Sequence, residues 1–181
     1  MDFLLSRRSR PAKTLSDAAP DRASLERILM AAARSPDHGK LEPWRFIVLS
    51  REAMARIAGI ATTRAAERGM DEAQATKAAA AFGQGGVIVA VLFSPKEAKI
   101  PAWEQAMSAG AVCLALLNAA LASGWGANWL TGPFADDPAF VASALGGAPG
   151  EYVAGFIHIG GETVVPADRP RPDLDGIVTW L

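Results

Sequence analysis

The sequence is poor in cysteine, histidine and net charge, and each shortage excludes a class of protein. A single cysteine, Cys113, permits no disulfide bond within the chain, which is typical of a protein from the reducing cytoplasm. Two histidines and one cysteine are too few for a structural zinc site. Because 18 basic residues nearly balance 19 acidic ones, we expect no general attraction to nucleic acid or to an anionic membrane.

Long hydrophobic runs and leader features are also missing. The longest apolar stretch, Ala109 to Trp125, is interrupted by Asn118 and Ser123 and is shorter than the roughly 20 residues of a membrane-spanning helix. The first ten residues place a three-residue apolar run before the arginines, which reverses the order of a signal peptide. We therefore expect a cytoplasmic protein rather than a membrane or secreted one.

Common catalytic signatures are absent as well. Gly83-Gln84-Gly85 lacks the third glycine of a dinucleotide-binding fingerprint and precedes a predicted strand instead of following one. The chain contains neither a P-loop nor a Gly-x-Ser-x-Gly nucleophile motif. The lack of an obvious side-chain catalyst favours either passive binding or chemistry supplied by a cofactor.

What is present fits one domain over residues 1–181, with enough chain to bury a substantial core. Hydrophobic periodicity predicts a series of helices and strands and then an extended tail. The helices are predicted over about 2–8, 21–34, 51–67, 71–81, 103–123 and 137–145, and the strands over 44–49, 87–93, 127–130 and 152–159, with a last candidate strand over 177–180.

The helix predicted over 103–123 is apolar around nearly its whole circumference, so it requires burial on all sides. In a domain of this size, packing against its copy in a second subunit meets that requirement, and half of all residues are hydrophobic. A homodimer is therefore expected. Cys113 and His158 lie within apolar elements and are predicted to be buried core or interface residues.

Four short segments stand out as candidate binding residues. Arg7-Arg8-Ser9 follows the first helix, and guanidinium and hydroxyl groups are typical ligands of phosphate. Basic residues at a helix end also interact well with its dipole, and that explanation stays open. The other segments are Arg34 to His38 followed by Glu42-Pro43-Trp44, Trp103 to Gly110, and Gly124 to Gly132, in which glycines and aromatics suit a flat ligand.

In this order and spacing, the four segments resemble the nitroreductase family and are most similar to its small single-domain branch, the YdjA-like reductases. The resemblance implies an α+β fold, with a central mixed or antiparallel sheet wrapped by helices in an intertwined homodimer. It implies one FMN in each of two sites at the dimer interface. It also implies that NADH or NADPH reduces the flavin and that a nitroaromatic or related acceptor then reoxidises it, in a two-step shuttle.

The resemblance also assigns roles to residues. By position in the motifs, the FMN phosphate and ribityl chain belong to Arg7, Arg8 and Ser9. Arg34 and His38, with Lys40 as a weaker candidate, are expected to reach the flavin from the opposite subunit. The segment Trp129, Leu130 and Thr131 is expected to run past the isoalloxazine ring, with backbone groups bonding to its polar edge. No residue is assigned as catalytic, and a proton-transfer role for His38 is left open.

Four comparisons with the family pattern qualify these assignments. Leu130 replaces the branch's usual arginine, and Gly83 to Gly86 replaces an Ala-Pro pair, which predicts a looser segment before the next strand. Some relatives bind the phosphate with basic residues near the C-terminus; Arg169 and Arg171 are candidates for that role here, but solvated tail charges are the preferred interpretation. The stretch Ala119–Gly124, a nicotinamide site in some relatives, lacks exposed donors here and is predicted to be core or interface.

Two alternative functions remain compatible with the same residues. One is a protein that binds or sequesters flavin with little turnover. The other is a different flavin-dependent activity on the same scaffold, such as dehydrogenation or dehalogenation. The sequence contains no substrate loop that distinguishes them.

Overall fold

The computed structural model describes residues 1–181 and shows a four-stranded sheet with helices on both faces. The helices are α1 (Asp2–Ser6), α2 (Arg22–Ala32), α3 (Arg51–Glu67), α4 (Glu72–Ala80), α5 (Ala102–Ala122) and α6 (Pro138–Leu145). The strands are β1 (Trp44–Leu49), β2 (Val87–Phe93), β3 (Gly126–Leu130) and β4 (Tyr152–Gly160). Short 3-10 turns occur at Ala12–Thr14, His38–Lys40, Ala81–Gly83 and Leu174–Gly176.

Polar caps explain where several helices begin. The side chains of Asp21, Ser50 and Asp71 each accept a backbone N–H three residues ahead, at the starts of α2, α3 and α4. Asp137 caps α6 in the same way, and Pro138 occupies its first turn. Gly69, with φ of +63°, separates α3 from α4, so the alanine-rich segment is a second helix and not a continuation of the first.

All strand pairs are antiparallel, in the order β1-β2-β4-β3. The predicted α+β fold is confirmed, and the choice between a mixed and an antiparallel sheet resolves to antiparallel. Every residue of β2 is buried, because this central strand is covered on both faces. The candidate strand over 177–180 is wrong: these residues pair with no strand and follow the Leu174–Gly176 turn.

Each face of the sheet carries its own hydrophobic core. Residues of α3, α4 and α6 pack on one face, where Ile88, Leu92 and Phe156 point toward them. Residues of α2 and α5 pack on the other face, against Val89 and Ile157. The alternation of side chains along β2 and β4 therefore determines which residues reach which core.

Helix α5 is only partly buried by its own chain. Val112, Cys113 and Leu116 are fully buried against the sheet, but Met107 and Leu114 on the opposite face are exposed. The helix has 21 residues, the length predicted from the sequence, and an 18-residue window within it has a mean hydropathy of 1.6, so by length and composition it is able to cross a membrane. Its contacts with α2, β2, β3 and β4 make it a core helix of this fold.

Candidate functional site

The arginine segment after α1 is attached to the edge of the sheet. The backbone N–H of Arg10 donates to the carbonyl of Ala127 at 2.9 Å, and Asn128 Nδ2 donates to the carbonyl of Arg10 at 2.7 Å. The structure thus joins the first and last predicted segments, which are more than a hundred residues apart in the chain. Arg7, Arg8 and Ser9 lie immediately before this junction and are half-buried.

Two buried guanidinium nitrogens in this segment have no protein partner. Arg7 Nη2 donates to Ser9 Oγ at 2.9 Å, and Arg8 Nη1 donates to the carbonyl of Ser9 at 3.2 Å. The Nε atoms of both arginines are buried and make no hydrogen bond. Because an unsatisfied buried donor costs about 1–3 kcal/mol, these nitrogens are suited to a ligand oxygen. The arrangement fits a phosphate group and goes beyond what a charged helix end requires.

Clustered positive charge surrounds Arg7. Burial lowers the pKa of the Arg7 guanidinium, and the neighbouring charges of Arg171, Arg8 and Arg10 lower it further. Arg171, whose Nη2 donates to Asp168 Oδ1 at 2.7 Å, therefore lies within electrostatic reach of the segment. Its side chain is 45% exposed, so the charge is solvated as well as close to Arg7.

A groove of about 770 Å³ opens between α4 and the β3 edge of the sheet. It is lined by Trp129–Phe134 from β3 and the loop after it, by Gln74 and Lys77 from α4, by Phe156 and His158 from β4, and by Arg68, Phe82 and Gln84. None of the lining residues is acidic, so the two cations of Arg68 and Lys77 give the groove positive potential. Its volume and mostly apolar lining suit a flat heteroaromatic ligand.

Trp129 and Leu130 lie on opposite faces of β3. The indole Nε1 of Trp129 donates to the carbonyl of Ala154 at 3.1 Å, which holds the ring against β4 and Gly155. Leu130 pairs with Phe156 across the strands, and Thr131 is exposed just beyond the end of β3. The predicted segment Trp129 to Thr131 therefore borders the groove. Its backbone lies at the rim, and the indole of Trp129 is held against β4.

His158 is the polar group deepest in the groove. It is 1% exposed, and its Nδ1 lies 3.0 Å from the carbonyl oxygen of Gln84. Desolvation lowers the pKa of the imidazole, so the ring is neutral near pH 7. The sequence correctly predicted a buried residue but not its place in the groove.

The glycine segment before β2 is tightly packed and not looser, contrary to the sequence prediction. The backbone N–H of Gly86 donates to the carbonyl of Ile159 at 2.9 Å, and Arg51 Nη1 donates to the carbonyl of Gly85 at 2.9 Å. Gly85 has a φ of +83°, and the α-carbon of Gly86 lies against the backbone of Ala18. Glycine is required here because the chain passes so closely that a side chain would clash.

The second group of predicted residues lies in a loop stabilised by its own side chains. Asp37 Oδ2 accepts the backbone N–H groups of Leu41 and Glu42, while Lys40 and Glu42 adopt positive φ values of 55° and 48°. His38 Nδ1 lies 2.6 Å from Glu104 Oε1, in the first turn of α5. Arg34, His38 and Lys40 are all exposed. Positive φ in non-glycine residues concentrates at functional loops.

Within one chain, the two groups of predicted residues are far apart. His38 contacts the first turn of α5, whereas Arg10 contacts β3 just after the end of α5. Since α5 has 21 residues, these contacts are separated by roughly 30 Å. A single ligand of flavin size does not bridge that distance, so one chain alone does not unite the predicted residues.

Sequence analysis missed Arg68, Lys77, Gln84 and the groove-facing position of His158. These residues come from four separate segments of the chain, and only the packed fold brings them together. The one available signal was the alternation along β4, which places His158 on the same face as Phe156.

Comparison with known proteins gives a consistent match. The family model described as the Nitroreductase family matches residues 4–161. The chain is 34% identical over 161 residues to YdjA of Escherichia coli (strain K12), whose name gives NAD(P)H nitroreductase as a provisional activity; the match covers 88% of this chain and 86% of that relative.

Solved structures share the fold. A nitroreductase-like protein from Bacillus cereus superposes with a TM-score of 0.80 at 20% identity, covering 99% of this chain and 94% of that one. A nitroreductase from Desulfovibrio desulfuricans, solved in complex with FMN, gives a TM-score of 0.76 at 22% identity and covers 99% and 95%.

Proposed function

Because this chain belongs to the nitroreductase family, we propose that it is an FMN-dependent NAD(P)H oxidoreductase that reduces nitroaromatic or related electron acceptors. We propose further that residues 1–181 form one domain and that the protein is a cytoplasmic homodimer with two FMN sites at the interface. The NAD(P)H activity in the name of YdjA and the FMN in the D. desulfuricans structure support this assignment.

One observation carries the cofactor assignment. The buried, unpartnered Nε atoms of Arg7 and Arg8 lie in a segment bonded to β3, and the same strand borders the groove. A phosphate-binding group and a cavity for a flat ring are therefore adjacent, as a flavin mononucleotide requires. The Ser9 hydroxyl is a further group in this phosphate-binding segment.

The remaining predicted residues are given roles that follow from their positions. Backbone groups of Trp129, Leu130 and Thr131 line the groove rim and are proposed to bond to the ring edge. Arg34 and His38, with Lys40 as a weaker candidate, are too distant in the same chain, so we assign them to the site of the partner subunit. The loss of an arginine at Leu130 leaves only backbone contacts at that position.

The chemistry divides between cofactor and protein. FMN, when bound, would supply the chemistry of hydride and electron transfer between a reduced nicotinamide and a second substrate. The chain contributes binding, orientation and electrostatics: Lys77 and Arg68, which also pairs with Asp137 at 3.5 Å, place positive charge beside the groove. No side chain is required as a nucleophile.

Spectroscopy on the purified protein tests this proposal. We expect a yellow protein whose flavin band is bleached by NADH or NADPH without oxygen and restored by a nitro compound. Reduction without reoxidation would instead identify a flavin binder with little turnover, and a protein unable to take up FMN would refute the assignment.

Substitution of Arg7 tests the phosphate contact. Arg7→Ala removes a charged hydrogen-bond donor, so we expect the Kd for FMN to rise by about ten- to a hundredfold. Arg22→Ala is the matched control, because Arg22 is an exposed arginine on α2 paired only with Glu26. FMN fluorescence titration of both variants measures the effect, and equal Kd values would contradict the phosphate assignment.

A further inference from the structure

Among the buried residues that line the groove, His158 has a ring nitrogen with no partner in the chain. His158 makes a single hydrogen bond, from Nδ1 to the carbonyl of Gln84 at 3.0 Å. Its other ring nitrogen, Nε2, bonds to nothing in the protein. The buried unpartnered side-chain atoms that are sealed from solvent are Arg7 Nε, Arg8 Nε and Asn118 Oδ1, so Nε2 retains access to the groove.

The tautomer of His158 follows from its partner. A backbone carbonyl can only accept a hydrogen bond, so Nδ1 carries the proton and Nε2 of the neutral ring is an acceptor. Desolvation lowers the pKa of this imidazole, which keeps the ring neutral.

The position of His158 between two paired strands makes its imidazole ring a rigid acceptor. His158 pairs with Ile88 on β2 and Asn128 on β3, so strands flank it on both sides. Asn128 Nδ2 donates to the carbonyl of Arg10, and Asn128 makes no hydrogen bond to His158. Because the ring is 1% exposed, an unmet acceptor here favours a ligand that brings a donor.

We propose that His158 is a flavin-binding residue whose Nε2 accepts a hydrogen bond from the imide N–H of the cofactor's ring. This inference rests on the proposed function. The oxidised isoalloxazine ring has one N–H donor, at N3, so the choice of donor is not ambiguous. Among the other groove residues, Lys77 and Arg68 carry only donors, whereas Gln74, Gln84 and Thr131 also carry side-chain acceptors, and none of these three is buried. His158 differs from Gln74 in being buried and already oriented.

A comparison of two flavins tests the contact without relying on activity. The full-length protein is freed of flavin and titrated with FMN and with 3-methyl-FMN, which lacks the donor. We expect the wild type to bind FMN about tenfold more tightly. In His158→Met, which keeps volume but has no nitrogen acceptor, we expect that preference to fall to about twofold or less. His158→Gln, whose amide oxygen can accept, should restore part of it.

Nitrogen NMR gives a second readout that needs no variant to fold. The chain has two histidines, so ¹⁵N-histidine labelling yields few signals. The unprotonated Nε2 resonance of His158 should move upfield when FMN binds and stay unmoved with 3-methyl-FMN. An identical preference between the two flavins in wild type and His158→Met, or an unmoved resonance with bound FMN, would overturn the contact. Failure of both flavins to bind would refute the proposed function as well.

Discussion

At the residue scale, the strongest ion pair lies away from the groove. Arg45 Nε and Nη2 donate to the two carboxylate oxygens of Glu151, each at 2.7 Å, and the N–H of Ala148 donates to Oε2 at 2.8 Å. These hydrogen bonds, led by those from Arg45, lower the pKa of Glu151 from 4.5 to about 2, against the opposing effect of burial. The pair joins β1 to the start of β4.

The depressed pKa predicts how stability depends on pH. A carboxylate with a lower pKa in the folded state stabilises the fold fully above the unfolded value of 4.5, and this contribution is lost as the pH falls toward 2. Glu151→Gln should lower the free energy of unfolding at pH 7, on the order of 2 kcal/mol with Arg45 partly solvated.

Urea unfolding at several pH values measures this effect. Between pH 5 and 3, the wild type should lose more stability than Glu151→Gln, because the variant has no carboxylate to protonate there. Glu26→Gln, on the exposed surface of α2, serves as the control and should behave like the wild type. Parallel pH profiles for wild type and Glu151→Gln would contradict the ion-pair assignment.

The residue scale also shows what sequence could predict. Arg7, Arg8 and Ser9 were identified because they are consecutive and their chemistry is local. His158 and Lys77 contribute to the groove only after α4 packs beside β4, and no spacing in the chain encodes that proximity. Arg171 was assigned to a solvated tail because its approach to Arg7 likewise depends on the path of the folded chain.

At the scale of elements, long periodic segments were predicted well. β2 was expected to be a strand covered on both faces, and all of its residues are buried. The strand predicted over 177–180 is not formed. A strand must pair with the edge of another strand, and the sequence pattern does not identify such a partner. Trp180 is 92% exposed in this segment.

The exposed stripe of α5 gives a prediction about association. Trp103, Met107 and Leu114 are 65%, 67% and 46% exposed and recur at helical spacing on one face. If this stripe packs against its copy, Leu114→Glu buries unpaired charges and should convert a dimer into monomers.

Light scattering after size exclusion checks this expectation. The wild type should have twice the 18.9 kDa mass of one chain, and Leu114→Glu should have the mass of one. Ala66→Glu on the exposed surface of α3 is the matched control and should stay dimeric. An unchanged mass for Leu114→Glu would exclude this face of α5 from the interface.

At the scale of the whole molecule, a second copy explains two features that one chain leaves open. Apolar side chains remain exposed on α1, α5 and the tail, including Leu5 and Ile177. The loop of Arg34 and His38 also lies roughly 30 Å from the Arg10 contact, by the length of α5. A homodimer whose flavin sites are formed by both subunits would cover these apolar side chains. It would also bring the loop of Arg34 and His38 to a flavin.

Subunit complementation tests this account most directly. Arg7→Ala and Arg34→Ala are each expected to weaken FMN binding at both sites of their own homodimers. When the two variants carry different tags, are co-expressed and are purified on both tags, each heterodimer holds one intact site and one doubly altered site. We predict one FMN bound per heterodimer with the wild-type Kd. Heterodimers that bind FMN no better than the two parent variants would contradict a site shared between subunits.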